Sequence, residues 1–439
     1  MPMSDIDVAH LLRRSGFDAS PAEVAALAGQ ELATVVDKVL DTTANPADTR
    51  PPALDLPVDQ TSQGLAGLRA AWHDRMATTP TPIVEKMTLF WHGHFTTEAS
   101  DVYRPNSLYE QLAYYRANAL GNYRTLAQGM SLLPAMLMYL DNDRNRKQSP
   151  NQNFGRELLE LYLLGVGNYT EADVIACAAA WTGHSLVNDS ASDVAQYLFK
   201  AADHDTGNKT FFGTTKNWDG PGIINEILHD NTEKQMITAR RIARRIWEFL
   251  AYPGVEDNIL TDLATLFVAN NLEIKPLVRA ILNRPEFYSP AAKQGLVRTP
   301  TEWAVALLAG SGLTSNAVGL LNLADGMGQT VFNPPNVAGW KNNGYWLTTS
   351  ALSGRANVAK RVASLMRANN GFDNLYLMAV GDAVDFVAKT FSVYPLADST
   401  RTALMNEFQT ERAAPDGSKS RSVTNLLVLV MLSGEMNVG

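Results

Sequence analysis

The sequence predicts a mainly α protein, a globular array of many helices with one irregular insertion near residues 185–220. Three observations carry this. Apolar residues recur at helical spacing along most of the 439 residues, and alternating, strand-like runs are scarce. Turn signals such as Thr79-Pro80 and Gly121-Asn122 cut the pattern into helix-sized pieces. Hydrophobic residues make up 46% of the chain against 19% charged, a balance that favours a large buried core over disorder.

The elements follow in order. Ile6, Val8, Leu11 and Leu12 open a first helix, and Val24 to Leu40 continue as a second, with Ser20-Pro21 as cap and first-turn proline. Residues 41–62 hold four prolines and little periodicity, the signature of an extended strap or linker. Helices are expected near 65–78, 81–92, 105–118, 121–140 and 150–164, and Thr170 with Asp173 forms a capping box for an Ala-rich helix over 171–182. The insertion carries paired aromatics around Tyr197 and Phe211, enough for the chain's one hairpin. Helical spacing returns at 222–229, 233–250, 256–269, 274–282, 299–310 and 315–325, lapses across Gly328 to Ser350, and resumes to the end. This divides the chain into N-terminal helices and strap (1–62), a central helical domain (63–350) and a C-terminal helical segment (351–439), or one continuous domain.

Composition narrows function. With 45 acidic and 37 basic side chains the net charge is -8, a field that repels nucleic acid. Cys177 alone excludes an internal disulfide and any zinc site of several thiolates. The start has no apolar stretch of secretory length and no run is long enough to span a bilayer, so the chain as written reads as cytoplasmic, without a membrane span. No phosphate-cradling glycine loop, GxSxG or HExxH occurs, and no nucleotide cofactor is expected.

Four segments could carry chemistry. His92-Gly93-His94, between bulky aromatics, would aim both imidazoles at one ion if the backbone is extended there; in a continuing helix they diverge by about 200°. Aromatic packing with a hydrogen-bonded His is the plainer reading. In Asn151 to Leu161, Glu157 and Glu160 share a helical face at i, i+3, close enough to hold a cation or act as acid and base, while Arg156, a further catalytic candidate, points elsewhere and Asn151 or Asn153 caps the helix. An ion-paired helix surface explains the same residues. His204-Asp205 with Lys209 places a base, an acid and an ammonium in a polar loop. Phe332 to Trp340, followed by Tyr345-Trp346, is either a sugar- or peptide-binding wall or, preferably, a strap anchored by aromatics such as Trp340. His184 reads as a helix C-cap, and His10, His73 and His229 as exposed helix positions.

Lys86 to Phe95, Tyr139 to Asn142, Asn151 to Leu161, Gly165 to Thr170, Ala179 to Gly183, His204-Asp205 with Lys209, Arg284 to Tyr288, and Pro334 to Val337 with Gly339-Trp340 run in order over nearly the whole chain. Together they resemble the bacterial family called domain of unknown function 1800. The resemblance implies a largely helical fold and a sulfatase-like protein partner encoded nearby, but no activity. It also implies export for many relatives, from which this start departs. It adds weight to His92, His94, Asn153, Arg156, Glu157, Glu160, His204 and Asp205 as a polar set in apolar helices.

Two functions fit that set. In a metal-dependent hydrolase or oxidoreductase, His92, His94, Glu157 and His204 would bind one divalent ion, zinc, iron or manganese. Glu160, or Glu157 if Glu160 is the ligand, then serves as base. In a non-catalytic scaffold or partner-binding protein the same groups form a buried network. Metal-free carbohydrate chemistry by the two glutamates is disfavoured, because carboxylates one helical turn apart sit too close to flank a glycosidic bond.

Overall fold

Prolines preset for a first helical turn open several of the predicted helices, and side-chain caps open others. The computed structural model describes residues 2–43, 62–102, 104–189, 194–369, 372–393, 395–415 and 418–439. Most of the proline-rich segment 41–62 lies outside the described residues. Helices dominate, and strands among the described residues form only two antiparallel pairs.

Ser20 and Glu23 make a reciprocal capping box at Pro21–Leu27, Thr170 and Asp173 make another at Glu171–Ala180, and Asn151 caps Gln152–Glu157. The N-terminal forty residues hold three helices rather than two, Asp5–Ser15, Pro21–Leu27 and Leu32–Val39, because Gly29 turns the chain at φ 78°. The stretch 121–140 splits into Tyr123–Met130 and Pro134–Tyr139, since Pro134 cannot donate to the preceding turn. Residues 150–164 begin as an α-helix over Gln152–Glu157 and widen into a π-helical turn over Leu158–Leu163; Gly220–Asn225 widens likewise over Glu226–Asp230.

The insertion holds two hairpins where one was expected. β1 (His184–Asp189) pairs with β2 (Val194–Phe199), His184 opposite Phe199, and β3 (Lys209–Phe211) pairs with β4 (Thr214–Lys216) across Phe212-Gly213. Both residues of that second turn have positive φ, 44° and 79°, the backbone that a tight two-residue hairpin requires.

Apolar side chains gather in two large clusters, one from Met3 to Ala292 and one from Trp303 to Met436. A smaller third cluster, in which Phe17, Trp72 and Leu89 meet Val305, Val331 and Phe332, joins them. The seam is crossed by helix Pro82–His94 on one side and Pro300–Ser311 on the other, and the segment after Gly328 lies along it. Arg69 Nε donates to Val331 O at 2.9 Å and Thr96 Oγ1 to Val337 O at 2.6 Å, which fasten that segment to the first half. No described helix is long and apolar enough to cross a membrane.

Candidate functional site

The helix Pro82–His94 runs unbroken through both histidines, so their rings diverge and do not face one ion. Residues 83–92 are all buried, and a buried backbone keeps its helical bonds. His92 Nε2 accepts the N–H of Phe332 at 3.0 Å, and its ring stands edge-on to Trp72 and Phe332. That bond holds Phe332 at a left-handed φ of 62°, costly for an aromatic residue. Burial, with Arg69 nearby, pulls His92 down to about 3, so it remains the neutral acceptor. His94 Nε2 donates to Tyr162 O at 3.1 Å, the same carbonyl that receives the Tyr123 hydroxyl at 2.7 Å. Burial, with Arg245 and Arg241, holds His94 well below the usual histidine range.

The glutamates are elsewhere and partnered separately. Glu160 accepts the Tyr169 hydroxyl at 2.5 Å, and Arg156 pairs with the exposed Glu171 at 2.7 Å. Glu157 is half-buried, and burial with Glu160 beside it raises its carboxyl above the ordinary range. Asn153 joins the cap, its N–H donating to Asn151 Oδ1 at 2.9 Å. His204 Nδ1 lies 2.8 Å from Thr182 O with its ring against Phe199. Asp205 and Lys209 close their own loop: Gly207 N–H donates to Asp205 Oδ1, and Lys209 Nζ donates to the carbonyls of Asp205 and Gly207. Of the four residues expected to share a metal, His92, His94 and His204 each bond a different backbone group, and Glu157 stands half-buried beside Glu160. Among the described residues no three His, Cys, Asp or Glu side chains come together as metal ligands. Two further expectations are corrected. His10 is buried with Nε2 2.8 Å from Phe287 O, and His73 is buried with Nδ1 2.7 Å from Arg69 O, so neither is exposed. His184 opens β1 instead of capping a helix, with its ring on Trp181 and Nδ1 3.0 Å from the Tyr197 hydroxyl.

What the fold does bring together is a cleft at the seam of the two cores. One chamber, about 40 Å³, is lined by Arg13, Arg14, Lys86, Arg298 and Glu302. A second, about 180 Å³, is lined by Phe90, Arg245, Gln329 and Trp340 among others. The chambers share Glu248, Phe249, Thr299 and Asn342, so they form one continuous depression. Lys86 is paired with Glu302, whose carboxylate also receives the Thr299 N–H at 2.9 Å. Arg14 is 3% exposed and Arg298 5%, yet among the described residues neither has a carboxylate within ion-pair distance. Among the described residues Arg14 donates to Ala292 O at 2.5 Å with its Nε unpartnered, and the Arg298 side chain reaches the thioether of Met436. Burial, partly offset by Glu302, pulls Arg14 down to about 9, which leaves it charged at neutral pH. Burial acts on Arg298 in the same direction, and pushes the adjacent Asp18 up to about 6.

A family model described as protein of unknown function (DUF1800) matches residues 10–438. The chain belongs to DUF1800. No curated protein and no solved structure matches it. Two blocks that carry the DUF1800 resemblance, Lys86 to Phe95 and Gly339-Trp340, meet across this cleft: Lys86, Leu89, Phe90 and Gly93 face it from one side and Trp340 from the other. Two further blocks, Tyr139 to Asn142 and Asn151 to Leu161, are joined through Asn145, whose amide donates to Asn142 Oδ1 and Ala178 O and whose Oδ1 receives the Asn151 N–H. Arg13, Arg14, Arg298 and Glu302 escaped the reading of motifs. The one local signal was the Thr299-Pro300-Thr301-Glu302 capping box, which placed Glu302 at a buried helix start.

Proposed function

We propose that this DUF1800 chain is a helical binding protein for a small oxyanion-bearing ligand, held in the seam cleft by Arg14 and Arg298, and that the His92, His94 and Glu157 set serves the fold. One observation supports this above others: two guanidinium groups, nineteen-twentieths buried or more, line a cleft in which, among the described residues, no carboxylate is hydrogen-bonded to either; Glu302, whose charge they feel, is bonded to Lys86. An unpaired buried cation is expensive, and proteins otherwise pair it or leave it in water. Lys86 shows the contrast, since it stands beside them and is neutralised by Glu302. An oxyanion accepting charge-assisted hydrogen bonds from Arg14 and Arg298 would supply the missing charge.

The test is thermal unfolding in phosphate or sulfate against chloride at equal ionic strength. Specific binding raises Tm by an amount that grows with anion concentration, equivalent to about 2.7 kcal/mol at a hundredfold excess over Kd. Arg298→Gln should remove the rise, leaving only the general salting effect of these anions. A rise of the same size in Arg298→Gln, or none in the parent protein, defeats the reading.

A further inference from the structure

Resting on that anion-binding reading, we propose that the ligand is a phosphate or sulfate monoester of a sugar-like ring, its ester group in the cationic chamber and its ring in the adjoining chamber beside Trp340. The two chambers differ in chemistry as the two ends of such a molecule do. The smaller one has room for a single oxyanion group rather than for a whole metabolite. Its cations come from separate pieces of chain, Arg14 from helix Asp5–Ser15, Lys86 from helix Pro82–His94 and Arg298 from the irregular stretch before Pro300. Donors arriving from several directions suit a tetrahedral oxyanion better than a flat carboxylate, which a single planar fork would satisfy.

The larger chamber is walled by Phe90, Phe249 and Trp340 and edged by Gln329, Asn342 and Thr299, with the charged residues Arg245 and Glu248 also on its lining. Aromatic faces with amide and hydroxyl side chains at their rim match a ring whose faces are apolar C–H and whose edge is hydroxyl. Phe249, Thr299 and Asn342 border both chambers, so one molecule can occupy the two at once. Trp340 already packs on His92 from behind, with ring centroids 5.4 Å apart, which fixes the indole as a wall.

Calorimetric titration separates the inference from the reading beneath it. The probes are inorganic phosphate, inorganic sulfate, glucose 6-phosphate, glucose 6-sulfate and glucose. Both esters are expected to bind roughly tenfold tighter than their inorganic anions, with glucose alone far weaker. Trp340→Leu and Trp340→Ala, which touch only the ring chamber, should erase the ester advantage while inorganic anion binding stays, and Arg298→Gln should weaken every anion. Preference between the two esters identifies the source of the oxyanion. Esters that bind no better than inorganic anions, or an advantage that survives both Trp340→Leu and Trp340→Ala, overturn the ring chamber and leave the anion site standing. Failure of every anion to bind overturns both.

Discussion

Lys86 donates its Nζ proton to Oε1 of Glu302 across 216 residues of sequence, in a buried ion pair that joins the two halves of the molecule. Burial outweighs the pairing at Lys86, whose pKa falls below the ordinary lysine range. At Glu302 burial acts the other way, but Lys86 and the Thr299 bonds prevail and hold the carboxyl below the ordinary range.

Removing one member of that pair should cost more than removing both. Lys86→Met leaves Glu302 buried without its hydrogen-bonded cation, with only the more distant charges of Arg14 and Arg298 to compensate it, and up to about 3–5 kcal/mol of stability is expected to go. The double variant Lys86→Met, Glu302→Leu should recover a large part of it, measured by urea unfolding. A depressed carboxyl stabilises above its unfolded pKa and loses that contribution as pH falls through its folded value, so the parent protein should lose stability on acidification below the ordinary carboxylate range. Lys86→Met should flatten that loss.

His92→Ala removes the acceptor of the Phe332 N–H and opens a hole between Trp72 and Phe332. Destabilisation of about 2–4 kcal/mol is expected, with metal content unchanged by inductively coupled plasma mass spectrometry. Stoichiometric zinc, iron or manganese in the parent that vanishes in this variant would falsify the structural role.

Gly155 lies where the helix Gln152–Glu157 crosses Glu171–Ala180. A Cβ there would stand 3.1 Å from Ala178 N and 3.4 Å from Val174 O, both backbone atoms that cannot swing aside. Alanine normally favours a helix by about 1 kcal/mol over glycine. Here Gly155→Ala should instead lower stability by about 1–3 kcal/mol, because the helices must separate. A higher Tm in Gly155→Ala would contradict the close crossing.

Arg156→Ala offers the opposite case. Its pair with Glu171 is largely in water, and the expected cost is under about 1 kcal/mol, smaller still in high salt. A loss of several kcal/mol would mean that Arg156 has a role beyond the surface pair.

Much of the helical layout could be read from spacing, because an amphipathic stripe, a proline at the first turn and a capping box are local signals. Ser20-Pro21, Asn151 and Thr170 with Asp173 illustrate this. The π-helical turn at Leu158–Leu163 could not, since an apolar run such as Leu158 to Leu164 looks the same whether the turn closes over four residues or five. His10 and His73 looked exposed on a helical projection, and only contacts with other parts of the chain bury them. The cleft is the extreme instance. Arg14, Lys86 and Arg298 share no spacing, and their meeting is a property of how two cores dock.

That docking has a kinetic consequence. Each large apolar cluster is drawn from its own continuous part of the chain, 3–292 or 303–436, and can condense without the other. The cleft exists only where the two meet, so it is complete only once they have docked. A ligand bound there should therefore leave the refolding rate almost unchanged and prolong the lifetime of the native state, acting as a clasp on a finished molecule and not as a template for making it.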